Sequence, residues 1–259
     1  MARNPNIIAV LPAAGKASRL GPLPCSKEIL PLQPDGKGSY APLPGSRVVI
    51  EEALHMLGEN GIDDAIIVTA PGKEDISAYL GDGPVGGVRL TYKVLANSPS
   101  VPHTLQTGIA SRKEEDVLIW FPDILVTPRN VVSRLAARHR ESGADVTLAL
   151  VPSDRGDKVD IVDVDESGKV LAVSPKPGAG VSGWTWVAGM WSAGFTEFLG
   201  LQVSQGHARP GRENQVGDII NAACQDTFIV QSVNFPVVRA LDIGTPDDLA
   251  RLWAGSSGM

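Results

Sequence analysis

A short apolar run at residues 7–12, Ile-Ile-Ala-Val-Leu-Pro, passes directly into a loop of small residues, Ala13-Ala14-Gly15-Lys16-Ala17-Ser18-Arg19. Continuous apolarity over strand length marks a strand covered on both faces, as in a parallel sheet. Small residues at the C-terminal end of such a strand let backbone N–H groups come close to phosphate oxygens. Two cations follow, Arg19 with a planar fork suited to paired phosphate contacts and Lys27 as a point charge. The layout points to a nucleoside triphosphate held where the first strand of an α/β sheet ends. Ala13, Ala14, Gly15 and Lys16 form the candidate nucleotide-binding loop, with the Lys16 ammonium itself read as solvated.

Further apolar runs at 65–70, 88–94, 117–121 and 146–151 alternate with amphipathic segments at 47–60, 102–112 and 128–142. This alternation predicts a mostly parallel sheet with helices on both faces. The pattern changes after residue 152. Residues 159–164 and 170–173 flank Asp165-Glu166-Ser167-Gly168 and read as an antiparallel hairpin. A strand-like run at 184–191, a helix over 212–225, strands at 228–234 and 237–241 and a last helix at 246–253 complete the expected order. Two proline- and glycine-rich stretches, 33–46 and 175–183, read as loops over a ligand cleft. Residues 206–211, with His207, Arg209 and Pro210, read as a mobile loop, and 255–259 as a flexible tail.

The 259 residues carry a net charge of −6, so no overall basic field recruits nucleic acid or an acidic membrane, and any phosphate-binding charge must be local. Cys25 and Cys224 are far apart, which offers neither a disulfide framework nor metal-ligand spacing and fits a reducing compartment. Cys25 reads as a small loop residue rather than a reactive one. His55, His139 and His207 do not cluster with acids at metal spacing and read as solvated or structural. No apolar run has the length of a signal core or a membrane span. The expectation is a soluble cytoplasmic protein with no membrane partner; a homo-oligomer is compatible with the sequence.

The phosphate loop Ala14-Gly15-Lys16-Ala17-Ser18-Arg19-Leu20, with Ser26-Lys27-Glu28-Ile29-Leu30-Pro31 downstream, resembles the signature of the sugar-1-phosphate nucleotidylyltransferases, roughly G-x-G-T-R-[LM] followed by P-K-x-[LM]-x-P. Ala144-Asp145-Val146-Thr147, Gly168-Lys169-Val170, Pro175-Lys176-Pro177 and Leu241-Asp242-Ile243-Gly244-Thr245-Pro246 fall in the family's order, so the resemblance covers nearly the whole chain. In length the chain is similar to the short glucose-1-phosphate thymidylyl- and uridylyltransferases.

The resemblance implies a Rossmann-like, mostly parallel mixed sheet with helices on both faces and a smaller antiparallel, sugar-binding portion. It implies one domain over residues 1–259, with 1–152 mainly binding nucleotide and 153–259 mainly binding sugar phosphate. The implied reaction passes a nucleotidyl group from a nucleoside triphosphate to a sugar 1-phosphate and releases pyrophosphate. Arg19, Lys27 and Lys176 are the implied catalytic cations. Asp123, expected just past the C-terminal end of the 117–121 strand, and Asp242 are the implied Mg²⁺ ligands. Glu28 would help to read a pyrimidine edge, which favours dTTP or UTP. His103 stands where the family has glycine, and reads equally as a base or ribose contact and as a plain helix-start residue. Lys176 is the implied sugar-phosphate contact; Trp184, with Trp186, reads as a wall of the sugar site, and Gly189 is a further sugar-side candidate.

Four positions depart from the family pattern: Ala17 for glycine, Leu95 for a base-reading glutamine, Pro122 before the metal aspartate, and Pro175 for a glutamate that reads sugar hydroxyls. They motivate a second reading, a non-catalytic nucleotide or nucleotide-sugar binding protein on the same fold. A dinucleotide oxidoreductase is disfavoured because the loop lacks G-x-G-x-x-G. A glycosyltransferase is disfavoured by the phosphate loop itself.

Overall fold

The computed structural model describes residues 7–33, 42, 46–110, 114–205, 215–237 and 239–255. In chain order the first half holds β1 (Ile7–Pro12), α1 (Val49–Glu59), β2 (Asp64–Thr69), α2 (Glu74–Leu80), β3 (Arg89–Val94), α3 (Val101–Ile109), β4 (Asp116–Trp120), β5 (Ile124–Thr127) and α4 (Val131–Ser142). The second half holds β6 (Val146–Ser153), β7 (Ile161–Val164), β8 (Val170–Ser174), β9 (Gly183–Trp191), α5 (Ala193–Ser204), α6 (Val216–Cys224), β10 (Val230–Asn234), β11 (Arg239–Asp242) and α7 (Pro246–Gly255).

β1 lies inside the main sheet, parallel to β4 on one side and to β2 on the other. Successive side chains of a strand point to opposite faces. Ile7, Ala9 and Leu11 therefore enter one core, with Leu54 and Leu57 of α1 and Leu135 of α4. Ile8 and Val10 enter a second core, with Leu105 of α3, Phe195 of α5 and Ile219 of α6. Burial on both faces explains why this strand reads as an unbroken apolar run.

Among the described residues the main sheet runs β10-β6-β9-β4-β1-β2-β3, with β7 and β8 attached beside β9. The β1–β2, β1–β4, β2–β3 and β6–β10 pairs are parallel. β9 is antiparallel to both β4 and β6, so it joins the strands of the first half to those of the second. The β7–β8 hairpin turns at Gly168, whose φ of 84° suits glycine, while Asp165 Oδ1 accepts from the backbone N–H groups of Ser167 and Lys169 at 2.9 and 3.0 Å.

The sequence reading omits α2, α5 and β5. β11 does not extend the main sheet; it pairs antiparallel with β5 in a separate two-stranded ribbon. Residues 34–41 and 43–45 of the first proline-rich stretch, 206–211 with His207, Arg209 and Pro210, the start of the helix expected at 212, and 256–259 lie outside the described residues.

α7 closes the fold. Leu249 and Leu252 pack with Ile243, Leu30 and Val49, and Trp253 Nε1 donates to the Pro31 carbonyl at 3.1 Å. The helix starts on Thr245, whose hydroxyl donates to Asp248 Oδ2 at 2.6 Å and accepts from the Asp248 N–H at 3.3 Å. The C-terminal helix is thus tied to the segment that follows the phosphate loop.

Two local features generate tests. Ala17 adopts φ 52° and ψ 28°, a left-handed conformation that costs a side-chain-bearing residue about 1–2 kcal/mol. Ala17→Gly removes that cost at a smaller entropic loss, so thermal or urea unfolding should show a variant at least as stable as the parent, by up to roughly 1 kcal/mol. His139 is buried, with Nδ1 2.9 Å from Thr147 Oγ1, and burial holds its pKa below the ordinary 6.5. The unfolded chain then binds the additional proton, so stability falls as pH drops below about 6.5. Unfolding midpoints measured from neutral pH down to mildly acidic pH should fall less steeply in His139→Gln than in the parent.

Candidate active site

The chain beyond β1 stays anchored to the sheet through the Ala13 N–H, which donates to the Val68 carbonyl at 2.8 Å. Gly15, Lys16 and Ala17 follow, and the left-handed turn at Ala17 starts the single turn Ser18–Leu20. Leu20 is buried as an anchor, while Arg19 remains exposed. A second single turn, Lys27–Ile29, is held by buried Ile29 and by Ser26, whose N–H and hydroxyl both donate to Asp75 at 2.7 Å. Asp75 belongs to the first turn of α2, which gives that helix a role in placing Lys27.

The acidic pair comes from the β5–β11 ribbon. β4 ends at Trp120, and the Phe121 carbonyl accepts from the Ile124 N–H at 3.1 Å, so Asp123 lies in the turn between β4 and β5. Ile124 pairs with Asp242 in the ribbon, and the Ile243 N–H donates to the Asp123 carbonyl at 2.9 Å. Lys27 Nζ donates to Asp123 Oδ2. Burial, then the nearby Asp123 charge, raise the Asp242 pKa, against the opposing pull of Lys27 and Arg19. Burial lowers the Lys27 pKa, but Asp123, Glu28 and Asp242 outweigh it and the net shift is upward, so the ammonium stays charged. A Cβ on Gly244 would lie 3.2 Å from Arg19 Nη2 and 3.3 and 3.4 Å from the two Asp242 oxygens. Arg19, Lys27, Asp123 and Asp242 therefore converge.

Two hard carboxylates held together suit Mg²⁺, which takes one or two protein carboxylates and fills its remaining positions with water and substrate phosphate. Among the described residues no group of three or more His, Cys, Asp or Glu side chains forms a fuller metal cage. The donor set fits a cation shared with a phosphate ligand better than a purely structural one.

Beside this group lies a cleft of about 1080 Å³, lined by Gly15, Lys16, Lys27, Glu28, Ser100, Phe121 and Asp123 among others. Arg19 and Asp242 adjoin it through Lys27 and Asp123. Lys73, at the end of the Ala70-Pro71-Gly72-Lys73 loop after β2, also lines it. Its ammonium donates to both Glu28 carboxylate oxygens at 2.8 Å and to the Gly15 carbonyl at 3.0 Å. Glu28 is only 1% exposed. Burial raises its pKa while Lys73 and Lys27 pull it back. Neither Lys73 nor Asp75 emerges from the sequence reading. Their signal was a small-residue loop at the C-terminal end of a second parallel strand, the same context that marks the phosphate loop.

The remaining expected residues sit apart from the four-residue group. Lys176 has φ 45°, and its ammonium donates to Gln215 Oε1 at 3.3 Å, where α6 begins. His103 lies in the first turn of α3 with Nδ1 2.8 Å from Ser100 Oγ; its neighbours Val101 and Thr104 line the cleft. Trp184 lines a shallower hollow of about 550 Å³ with Pro152, Ser153 and Asp154. Gly189 is buried in mid-sheet between Ile119 and Leu148, and a Cβ there would meet Leu148 Cδ2 at 3.4 Å. Leu95 packs against the second core, its N–H bonded to the Thr69 carbonyl at 2.9 Å. Phe121 carries the cleft wall toward Trp186, at 5.4 Å between ring centroids, and Trp186 Nε1 donates to Asp160 Oδ2 at 3.0 Å.

Known proteins share this architecture. The chain is 25% identical over 245 residues to the low-salt glycan biosynthesis nucleotidyltransferase Agl11 of Haloferax volcanii, covering 93% of this chain and 63% of that protein. It is 25% identical over 182 residues to a UTP–glucose-1-phosphate uridylyltransferase of Synechocystis, covering 65% of this chain and 44% of that protein. The chain thus spans less than two thirds of the curated relatives it matches. Among solved structures, a UDP-glucose pyrophosphorylase complexed with UDP-glucose superposes with a TM-score of 0.78 at 16% identity, covering 99% of both chains. A UTP-bound UGPase from Acinetobacter baumannii gives a TM-score of 0.76 at 21% identity, covering 97% of this chain and 92% of that one. At these identities the superpositions speak for the fold. The nucleotidyl transferase family model matches residues 8–255, nearly the whole chain, and the protein belongs to that family.

Proposed function

We propose that the protein transfers a nucleotidyl group from a nucleoside triphosphate, dTTP or UTP, to a sugar 1-phosphate, releasing pyrophosphate and leaving a nucleotide-sugar. The observation that carries this reading is the convergence of Arg19, Lys27, Asp123 and Asp242 at the cleft beside the phosphate loop. An oxygen of the sugar phosphate attacks the α-phosphorus, and the bond to the β-phosphate oxygen breaks. The protein has little covalent work in such a displacement; it aligns attacker and leaving group and offsets charge.

Lys27, held charged between carboxylates, is placed to exchange Asp123 for a phosphate oxygen. Arg19, exposed beside Gly244, supplies paired donors for the departing pyrophosphate. Asp123 and Asp242 would hold Mg²⁺, which when bound neutralises phosphate charge and orients the triphosphate. Lys176, with Gln215 at the start of α6, serves the sugar-phosphate side, where Phe121 and Trp186 continue the wall. We place the reaction in the cytoplasm. Neither Cys25 nor Cys224 forms a disulfide, as a reducing compartment favours, and no helix among the described residues is long and apolar enough to cross a membrane.

Purified protein given each nucleoside triphosphate in turn, a panel of sugar 1-phosphates and Mg²⁺ should release pyrophosphate, fastest with UTP or dTTP. Triphosphate binding without turnover for any pair would favour a non-catalytic binding protein instead. Asp123→Asn and Asp242→Asn should each lower kcat by about 100-fold or more with the melting temperature nearly kept; near-normal rates would remove the metal role. Arg19→Ala should lower kcat/KM by roughly 100-fold, the cost of losing one donor set to developing charge.

A further inference from the structure

The ammonium of Lys73 has three N–H donors and three acceptors: both Glu28 oxygens at 2.8 Å and the Gly15 carbonyl at 3.0 Å. It is therefore saturated without any ligand. Its side chain is 11% exposed and that of Glu28 1%. Three segments meet at this one atom: the phosphate loop at Gly15, the single turn carrying Lys27 and Glu28, and the loop after β2. A cation saturated by protein groups at a substrate cleft does not itself grip phosphate. It sets the shape and charge of the groups that do.

We propose that Lys73 is a positioning residue for nucleotide binding: it fixes the phosphate loop through Gly15, and by neutralising Glu28 it leaves the adjacent Lys27 available to the triphosphate. The inference rests on the nucleotidyl-transfer reading above. With Lys73 in place, Glu28 is compensated and Lys27 answers mainly to Asp123, its hydrogen-bond partner. Without it, a buried carboxylate would stand uncompensated beside Lys27 and compete with the incoming phosphates for that ammonium. Removing one partner of a buried pair costs far more than removing both.

The charged and titratable groups around Glu28 are Lys73, Lys27, Asp123 and Cys25, with Asp75 of α2 beyond Ser26, which it holds by two hydrogen bonds. Burial raises the Cys25 thiol to about 11, so it stays neutral across the working range. Burial already raises the Glu28 pKa, and Lys73→Met removes the largest charge that opposes the rise, so Glu28 takes a proton more readily in the variant than in the parent as pH falls. Its charge is present at high pH and lost at low pH.

The test is the KM for UTP or dTTP, whichever the parent turns over, from about pH 6 to pH 8.5, with melting temperatures recorded alongside. K73M should raise KM at least tenfold near pH 8 with a smaller change in kcat. The defect should shrink as pH falls and Glu28 takes a proton, a trend absent from the parent. K73M/E28Q, which removes both charges, should bind nucleotide better than K73M at high pH. A K73M KM and pH profile like the parent's would overturn the proposal. So would equal losses in K73M and K73M/E28Q, since Lys73 would then act on nucleotide directly or on folding alone. A parent that neither binds nor turns over any triphosphate would instead remove the nucleotidyl-transfer reading.

Discussion

The two-stranded β5–β11 ribbon decides whether the acidic pair beside the cleft can exist. Main-chain pairing of Ile124 with Asp242, together with the Ile243 N–H bonded to the Asp123 carbonyl, forces two carboxylates from distant parts of the chain into one place. Burial takes Asp242 out of water and Asp123 adds a like charge beside it, and the raised pKa of Asp242 reflects both in that order. The backbone ladder holds them regardless, and Lys27 and Arg19 lower the cost. Such an arrangement is ready for a divalent cation accompanied by polyphosphate.

Around that pair the molecule is a balance of fixed charges. Lys27 faces Asp123, Lys73 faces Glu28, and Arg19 stands near Asp242. Each of these three carboxylates has a cation within reach, so their charges largely offset one another at the cleft. Lys73 is tied up by protein groups, whereas Arg19 is exposed. The same residue class thus serves two purposes within one site, and burial with hydrogen-bond saturation, rather than residue type, separates them.

Much of this was legible in the chain itself. β3, at the sheet edge, is legible through alternation, whereas β1, β2, β4 and β6 lie within a residue or two of the apolar runs, because strands buried on both faces leave an unbroken signature. Asp123 was legible for the same reason: it follows the C-terminal end of such a run. The β5–β11 ribbon was not, because Ile124–Thr127 is four residues long and only partly buried, which gives periodicity too little to work with. α5 was missed because its apolar residues are spread around the helix, from buried Phe195 and Leu199 to exposed Leu201. Lys73 stands in a small-residue loop after a parallel strand, but the sequence does not show that Glu28, far along the chain, is sealed beneath it. Lys176 follows from the family's motif order and Trp184 is an aromatic candidate for a sugar-site wall; with Gly189 they occupy separate local settings in the fold.

The position of β11 far after Asp123 along the chain has a consequence for biogenesis. A ribosome releases the phosphate loop, Lys27 and Asp123 well before residue 242, and α7, which seals the segment behind the loop, comes later still. Until those last elements dock, the nascent sheet can form but Asp123 lacks its acidic neighbour. Competence for the cation–polyphosphate pair therefore arrives in a single late step, so a chain stalled short of β11 would carry an assembled core and an incomplete cleft.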